Sequence, residues 1–443
     1  MASPSACPCS TRSSRIFRMN LFLSNCRIAD ENSPVLQDAH VLVESGCITA
    51  VSLELKKPEH AREIDCAGRI LMPAMFDAHV HLREPGFEAK ENIASGVRAA
   101  INGGVTGLVM MPNTSPALDN PATIRTVLEA GKATPITVLT SGCITKGRLG
   151  KELAAIDGMR RLGVKMLTDD GDSVLDPAVL YRAMQYATEF GMFFASHCEV
   201  PELAGPRALT EGPTAFRLGI KGSPPCAEEI IIDRDIRLAH AAGAHIHIQH
   251  VSSALGMETI RWWKERGDVK VTAEVAPHHL MFSEDDIGDF DTNYKMNPPL
   301  RTRADNAKLL EGLKQGVFDL IATDHAPHTA FEKSQDFVSA PNGVTGLETA
   351  LISLYHYYVR SNIFGWDLVV KRYSAEPRRF MGLDPVPIEE GKTAEFLLFN
   401  PAGSTTFTPD YLCSRSQNTP FINQTLQGSI DLVVKNGMIL LER

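Results

Sequence analysis

The chain has 443 residues, of which 44% are apolar and 22% charged. That composition is typical of a soluble globular protein with a large core, and no apolar run of about 18 residues is present to span a membrane. A net charge of −9 disfavours nonspecific nucleic-acid binding and is silent on the fold. Residues 1–18 are rich in Ser and Arg, carry no acidic group and lack the apolar core of a secretory signal. They are expected to be a disordered extension, or to precede a start at Met19. Short strands are predicted at 21–23, 39–43 and 47–51, and the tail repeats that texture at 396–399 and 432–437. A lone hairpin set cannot bury its own apolar face. The two ends, 19–68 and 385–443, are therefore expected to share one small β-sandwich.

Between them, residues 69–384 alternate apolar strands with amphipathic helices. Strands are predicted at 70–76, 107–111, 137–140, 164–168, 192–196, 245–249, 270–273 and 320–323. Helical periodicity falls between them at 91–102, 122–130, 178–189, 230–241 and 304–315. Eight such units predict an α/β protein with a (β/α)8 TIM-type barrel, whose active site sits at the C-terminal strand ends. Polar side chains gather at those ends: His79, His81, Asn113, Asp170, His197, His250, Glu274 and Asp324. The cysteines follow no CxxC spacing and no disulfide framework, as expected of a cytoplasmic protein.

His79 and His81 share one face of a strand, about 7 Å apart, and form a chelating pair. A lone buried histidine is more often a hydrogen-bonded core residue than a ligand. The second HxH, at His245 and His247, is accordingly read as packing. Six groups at five strand ends, His79, His81, Asp170, His197, His250 and Asp324, point instead to a two-metal hydrolase. Imidazole and carboxylate ligands suit zinc, with manganese, cobalt or iron as alternatives.

The stretch Asp77-Ala78-His79-Val80-His81-Leu82-Arg83-Glu84-Pro85-Gly86 resembles the signature of the dihydroorotases, within the amidohydrolase superfamily. The resemblance continues through Met111-Pro112-Asn113-Thr114, Thr168-Asp169-Asp170-Gly171, Ser196-His197-Cys198-Glu199 and Gln249-His250-Val251-Ser252. It runs on through Lys295-Met296-Asn297-Pro298-Pro299 and Thr323-Asp324-His325-Ala326-Pro327-His328, an ordered set similar to the long, class I branch. It implies two Zn2+ ions, one held by His79, His81 and Asp324 and the other by His197 and His250. A carboxylate bridges the ions in this branch and a carbamylated lysine in others. Asp170 and Lys165 are the respective candidates, and the intact Asp-Asp-Gly motif favours Asp170.

The resemblance also implies the reaction: reversible, zinc-dependent cyclisation of N-carbamoyl-L-aspartate to L-dihydroorotate plus water, in pyrimidine biosynthesis. Asp324 is the expected catalytic base. Substrate contacts are expected from His81, Arg83, Asn113, Asn297, His328, Asn342 and Gly343, with Arg83 suited to a carboxylate. The family usually has an aromatic residue where Asn342 stands. A homodimer and an association with aspartate transcarbamoylase are further expectations. The alternatives are a hydantoinase or allantoinase, and a silent relative that only scaffolds a transcarbamoylase.

Overall fold

The structure, a computed structural model, describes residues 19–443; the expected extension at 1–18 lies outside them. In chain order the strands are β1 (Leu21–Ile28), β2 (Gln37–Glu44), β3 (Cys47–Ser52), β4 (Arg62–Asp65) and β5 (Ile70–Pro73). Next come β6 (Met75–Val80), β7 (Val105–Met110), β8 (Thr137–Thr140), β9 (Met166–Leu167) and β10 (Phe193–Ser196). The last are β11 (His245–Ile248), β12 (Lys270–Val275), β13 (Leu320–Ile321), β14 (Glu395–Thr406), β15 (Thr425–Lys435) and β16 (Met438–Glu442).

Strands from both termini form one sheet, ordered β16-β15-β14-β5-β1-β2-β3 with β4 beside β1. In β2 the residues Ala39, Val41 and Val43 are buried in alternation, the period expected of a strand with one covered face. They pack with Leu21, Leu23, Ile48, Phe396, Leu398 and Val434 in a core of their own.

The remaining strands are parallel: β6-β7-β8 in one sheet, and β13-β12-β11-β10-β9 in another. Parallel bridges Gly142↔Leu167 and Val80↔His325 join the two sheets at both edges. Helices fill the connections, including Ile93–Asn102, Pro121–Lys132, Pro177–Thr188, Cys226–Ala242 and Arg303–Gln315. Asn92, Asn120, Asp176 and Thr302 cap four of them by accepting first-turn N–H bonds, the local signal that starts a helix. The longest helix outside the expected ranges is Ala254–Arg266, and shorter ones such as Pro213–Leu218 and Ala350–Leu354 also lie outside them. The molecule is an α/β protein.

One predicted strand is corrected. Residues 70–76 are not a single strand: β5 pairs antiparallel with β14, while β6 pairs parallel with β7. An unbroken apolar run cannot reveal a change of sheet, because both faces of both strands are buried. A buried polar network spans the seam. Glu395 of β14 accepts from Arg378 at 2.8 Å and from the Thr106 hydroxyl at 2.6 Å, and Lys435 lies 3.3 Å away.

Candidate functional site

The carboxyl ends of the parallel strands face one cavity of about 210 Å³. His81, Arg83, Asn113, Asp170, His197, His250, Asn297, Asp324, His328, Asn342 and Gly343 all line it. Every residue expected from sequence to touch substrate is therefore on this wall. His79 stands just behind it, its ring centroid 5.3 Å from that of His81.

Two clusters of ligand atoms share one member. His79, His81 and Asp170 form the first, and Asp170, His197 and His250 the second, with ligand atoms in each group within 4.8 Å of one another. Asp170 Oδ1 is 3.4 Å from His79 Nε2 and 3.9 Å from both His197 Nδ1 and His250 Nε2. Its Oδ2 is 3.5 Å from His81 Nε2. Asp324 Oδ1 joins the first cluster, 2.9 Å from His81 Nε2 and 3.6 Å from His79 Nε2.

Lys165, the alternative bridge, is elsewhere. It precedes β9, at the opposite end of that strand from Asp170, and its ammonium donates to the Met381 carbonyl at 3.0 Å.

The ring nitrogens are oriented for metal binding. His79 Nδ1–H donates to Glu274 Oε1 at 2.6 Å, which leaves the Nε2 lone pair pointing into the cluster. His81 repeats the arrangement, with Nδ1–H donating to Asn113 Oδ1 at 2.8 Å. Outer partners of this kind fix the tautomer of a metal-binding imidazole. Asn297 Nδ2 lies 3.1 Å from His197 Nε2, and turning the amide over puts its oxygen there instead. When its amide oxygen, otherwise buried without a partner, accepts Nε2–H, the Nδ1 lone pair of His197 faces Asp170.

His79 Nε2 and Asp170 Oδ1 are themselves buried and unpartnered. Buried polar atoms are almost always satisfied, so two orphans at the centre of two histidine–carboxylate clusters fit a pair of bound cations. Burial alone raises the Asp170 pKa, but the imidazoles of His79, His81 and His197 hold it well below the usual carboxylate range. Burial and the neighbouring His197 push His250 down to about 3, the neutral form a ligand requires.

Backbone conformation supports the placement. Arg83, His250 and Asp324 have φ of 63°, 29° and 47°, in the left-handed region that non-glycine residues rarely enter. Such geometry persists where surrounding structure over-determines it, typically at functional sites. Gly343, at φ 146°, leaves no room for a side chain: a Cβ there would meet the Ala326 carbonyl at 2.5 Å.

Cationic and amide groups ring the outer wall. Arg83 donates through Nε to the Pro327 carbonyl at 3.1 Å, and burial lowers it only to about 10, so it stays charged at neutral pH. Burial, followed by Arg83 and Lys90, pushes His328 down to about 2, so this imidazole is neutral. Lys90 donates to His328 Nδ1 at 3.4 Å, and Nε2–H donates to the Asn342 carbonyl at 2.8 Å.

Two contributors escaped the sequence reading. Arg207 lines the cavity with its Nε 2.5 Å from Glu199; no motif surrounds it. Glu274 was noted only as a polar strand end, yet it organises the inner wall. Besides His79 it accepts the His250 N–H at 3.1 Å and His247 Nε2–H at 3.1 Å. His245 contacts Thr272 at 2.9 Å, and neither it nor His247 joins a metal cluster among the described residues. Glu274→Gln is expected to weaken divalent-metal affinity by about tenfold, as loss of an outer partner typically does, with metal content after dialysis as the measure.

Comparison with known proteins gives the arrangement a lineage. Residues 68–255 match the family described as Dihydro-orotase-like. The dihydroorotase of Carboxydothermus hydrogenoformans is 38% identical over 426 residues, 96% of this chain and 99% of that one. The dihydroorotase of Brevibacillus brevis is 40% identical over 425 residues, 95% of this chain and 99% of its own. Among solved structures, the L-hydantoinase of Arthrobacter aurescens superposes with a TM-score of 0.85 at 22% identity, covering 96% of both chains, a likeness of fold. Identity of this order along nearly the whole length places the chain in the dihydroorotase family.

Proposed function

We propose that this chain interconverts N-carbamoyl-L-aspartate and L-dihydroorotate plus water, a step of pyrimidine biosynthesis. The observation that carries the reading is Asp170 shared between two histidine clusters, on a cavity wall that also holds Arg83, Asn113 and His328. Zinc is the proposed metal, two ions per subunit. His79, His81 and Asp324 would hold one ion, His197 and His250 the other, and Asp170 both.

Bound divalent ions supply Lewis acidity, polarising the amide carbonyl and rendering water nucleophilic near neutral pH. Around them the chain's own groups bind and move protons. The Arg83 guanidinium receives the substrate carboxylate, since its planar fork matches two carboxylate oxygens. Asn113 uses its oxygen to hold His81, which frees its amide N–H groups for the same carboxylate. Asn297, His328, Asn342 and Gly343 define the far side of the ring. Burial works against ionisation of Asp324, but the surrounding imidazoles of His81, His79 and His250 keep it ionised. It therefore accepts the proton of the attacking water and delivers it to the ring nitrogen as the C–N bond breaks. In cyclisation the same carboxylate takes the carbamoyl N–H proton.

The closed run of strand pairings through β6–β13 supports reading residues 69–384 as a (β/α)8 barrel. In this reading 19–68 and 385–443 form a β-sandwich companion, and β5 sits on its side of the seam. A homodimer, association with an aspartate transcarbamoylase and a cytoplasmic location belong to the same proposal. No helix among the described residues is long and apolar enough to cross a membrane. The hydantoinase alternative calls for a lysine bridge, and Lys165 points away to the Met381 carbonyl.

The test is to measure metal content and ring opening on L-dihydroorotate and on hydantoin. Two equivalents of zinc with turnover of dihydroorotate is the expected result. Turnover of hydantoin alone would refute the assignment.

A further inference from the structure

The segment between the short helix Ala330–Lys333 and Gly343 carries part of the cavity wall but little packing of its own. Ser334, Gln335, Asp336, Val338 and Ser339 are exposed, and only Phe337, Ala340 and Gly343 are buried. Apolar burial alone does not fix so open a loop.

Two lysines lie beneath it, Lys295 at 2% and Lys333 at 7% exposure. Lysine is almost never fully buried unless paired, yet neither forms an ion pair among the described residues. Their ammonium groups donate to loop carbonyls instead. Lys333 Nζ reaches the carbonyls of Pro341 and Gly343, each at 3.1 Å, and of Lys295 at 3.3 Å, so all three N–H groups have acceptors. Lys295 Nζ reaches the carbonyls of Val338 at 2.7 Å and Ala340 at 2.5 Å. The backbone closes the circuit, with Gly343 N–H donating to the Lys295 carbonyl at 3.0 Å.

We propose that Lys333 and Lys295 are positioning residues, two buried amino groups that clamp the 336–343 segment so that Asn342 and Gly343 face the substrate. Burying an ammonium group opposite carbonyls alone is unfavourable unless every proton is bonded. A methionine would fill the same volume without that penalty, so a purely structural role explains the charge poorly. Hydrogen bonds to the carbonyls of Val338, Ala340, Pro341 and Gly343 fix the path of the main chain itself, and the last of the series belongs to Gly343. The inference rests on the proposed dihydroorotase reading for what the loop contacts.

The experiment compares wild type with Lys333→Met and the graded variant Lys333→Gln. Steady-state ring opening of L-dihydroorotate is read alongside amide hydrogen exchange over 336–343. The expected result for Lys333→Met is a KM about tenfold higher, with kcat within about threefold, because a displaced contact weakens binding more than chemistry. Exchange should quicken over 336–343 alone, metal content should hold, and Lys333→Gln should fall between. A folded Lys333→Met with unchanged KM and unchanged loop exchange would overturn the clamp. If neither variant folds, wild-type exchange decides: the Gly343 amide must be protected well beyond those at 334–336, and uniform fast exchange overturns the proposal. A wild type inert toward dihydroorotate would instead sink the functional reading, while the exchange pattern still reports on the clamp.

Discussion

Asp170→Ala is expected to abolish metal binding and reduce turnover by on the order of 10³-fold or more, because the several kcal/mol that a metal contributes to the transition state are lost. The reason is geometric. Among the described residues Asp170 is the carboxylate common to both ligand clusters, and its two oxygens face different histidines, Oδ1 toward His79 and Oδ2 toward His81. Removing it leaves each site a ligand short, and only Asp324, on the His79–His81 side, remains to offset the converging imidazoles. Metal analysis and steady-state assays check the prediction, with Lys165→Ala as the control. Lys165 donates to the Met381 carbonyl and stands outside both ligand clusters, so its loss should leave both readouts as in wild type. The reverse pattern would return the bridge to lysine.

Arg83→Met is expected to lower kcat/KM on dihydroorotate about 10²-fold, the consequence of losing about 3 kcal/mol from a buried, hydrogen-bonded charge pair. Arg83 is held at positive φ and anchored through Nε to the Pro327 carbonyl, with Nη2 3.2 Å from His328 Nε2, and its guanidinium lines the cavity. The loss should be specific. Turnover of a cyclic amide lacking the carboxylate, such as dihydrouracil, should change little, since there is no anion for the guanidinium to meet. Equal losses on both compounds would show that Arg83 shapes the cavity rather than reads the substrate. Arg83→Lys should recover only part of the activity, as an ammonium cannot reproduce the bidentate fork.

The candidate ligand positions could be picked out because strand ends carry them: a period-two HxH and single polar residues closing apolar runs leave few other readings. Lys165 stayed ambiguous because it is near Asp170 in sequence. Only the strand's direction in space separates the two, Lys165 before β9 and Asp170 after it. Glu274 was visible as a polar residue, but a carboxylate that aims a ligand and one that is a ligand look alike in a linear chain. Arg207, Lys295 and Lys333 were lost to the general rule that long cations face water. The break between β5 and β6 was invisible because fully buried strands of different sheets have the same apolar texture.

That break leaves no linker between the terminal sheet and the strand that carries His79. Pro73, the last residue of β5, is registered against Phe396, and β6 with His79 begins two residues later. Slack introduced near residue 396 therefore reaches the histidines without a hinge to absorb it. A chain trimmed ahead of Glu395 would strip β5 of its antiparallel partner, leaving only its short pairing with β1, and behave as an active-site mutant, although the cut is remote in sequence. Neither part is an interchangeable cassette, and grafting either onto a relative would have to carry both sides of this splice.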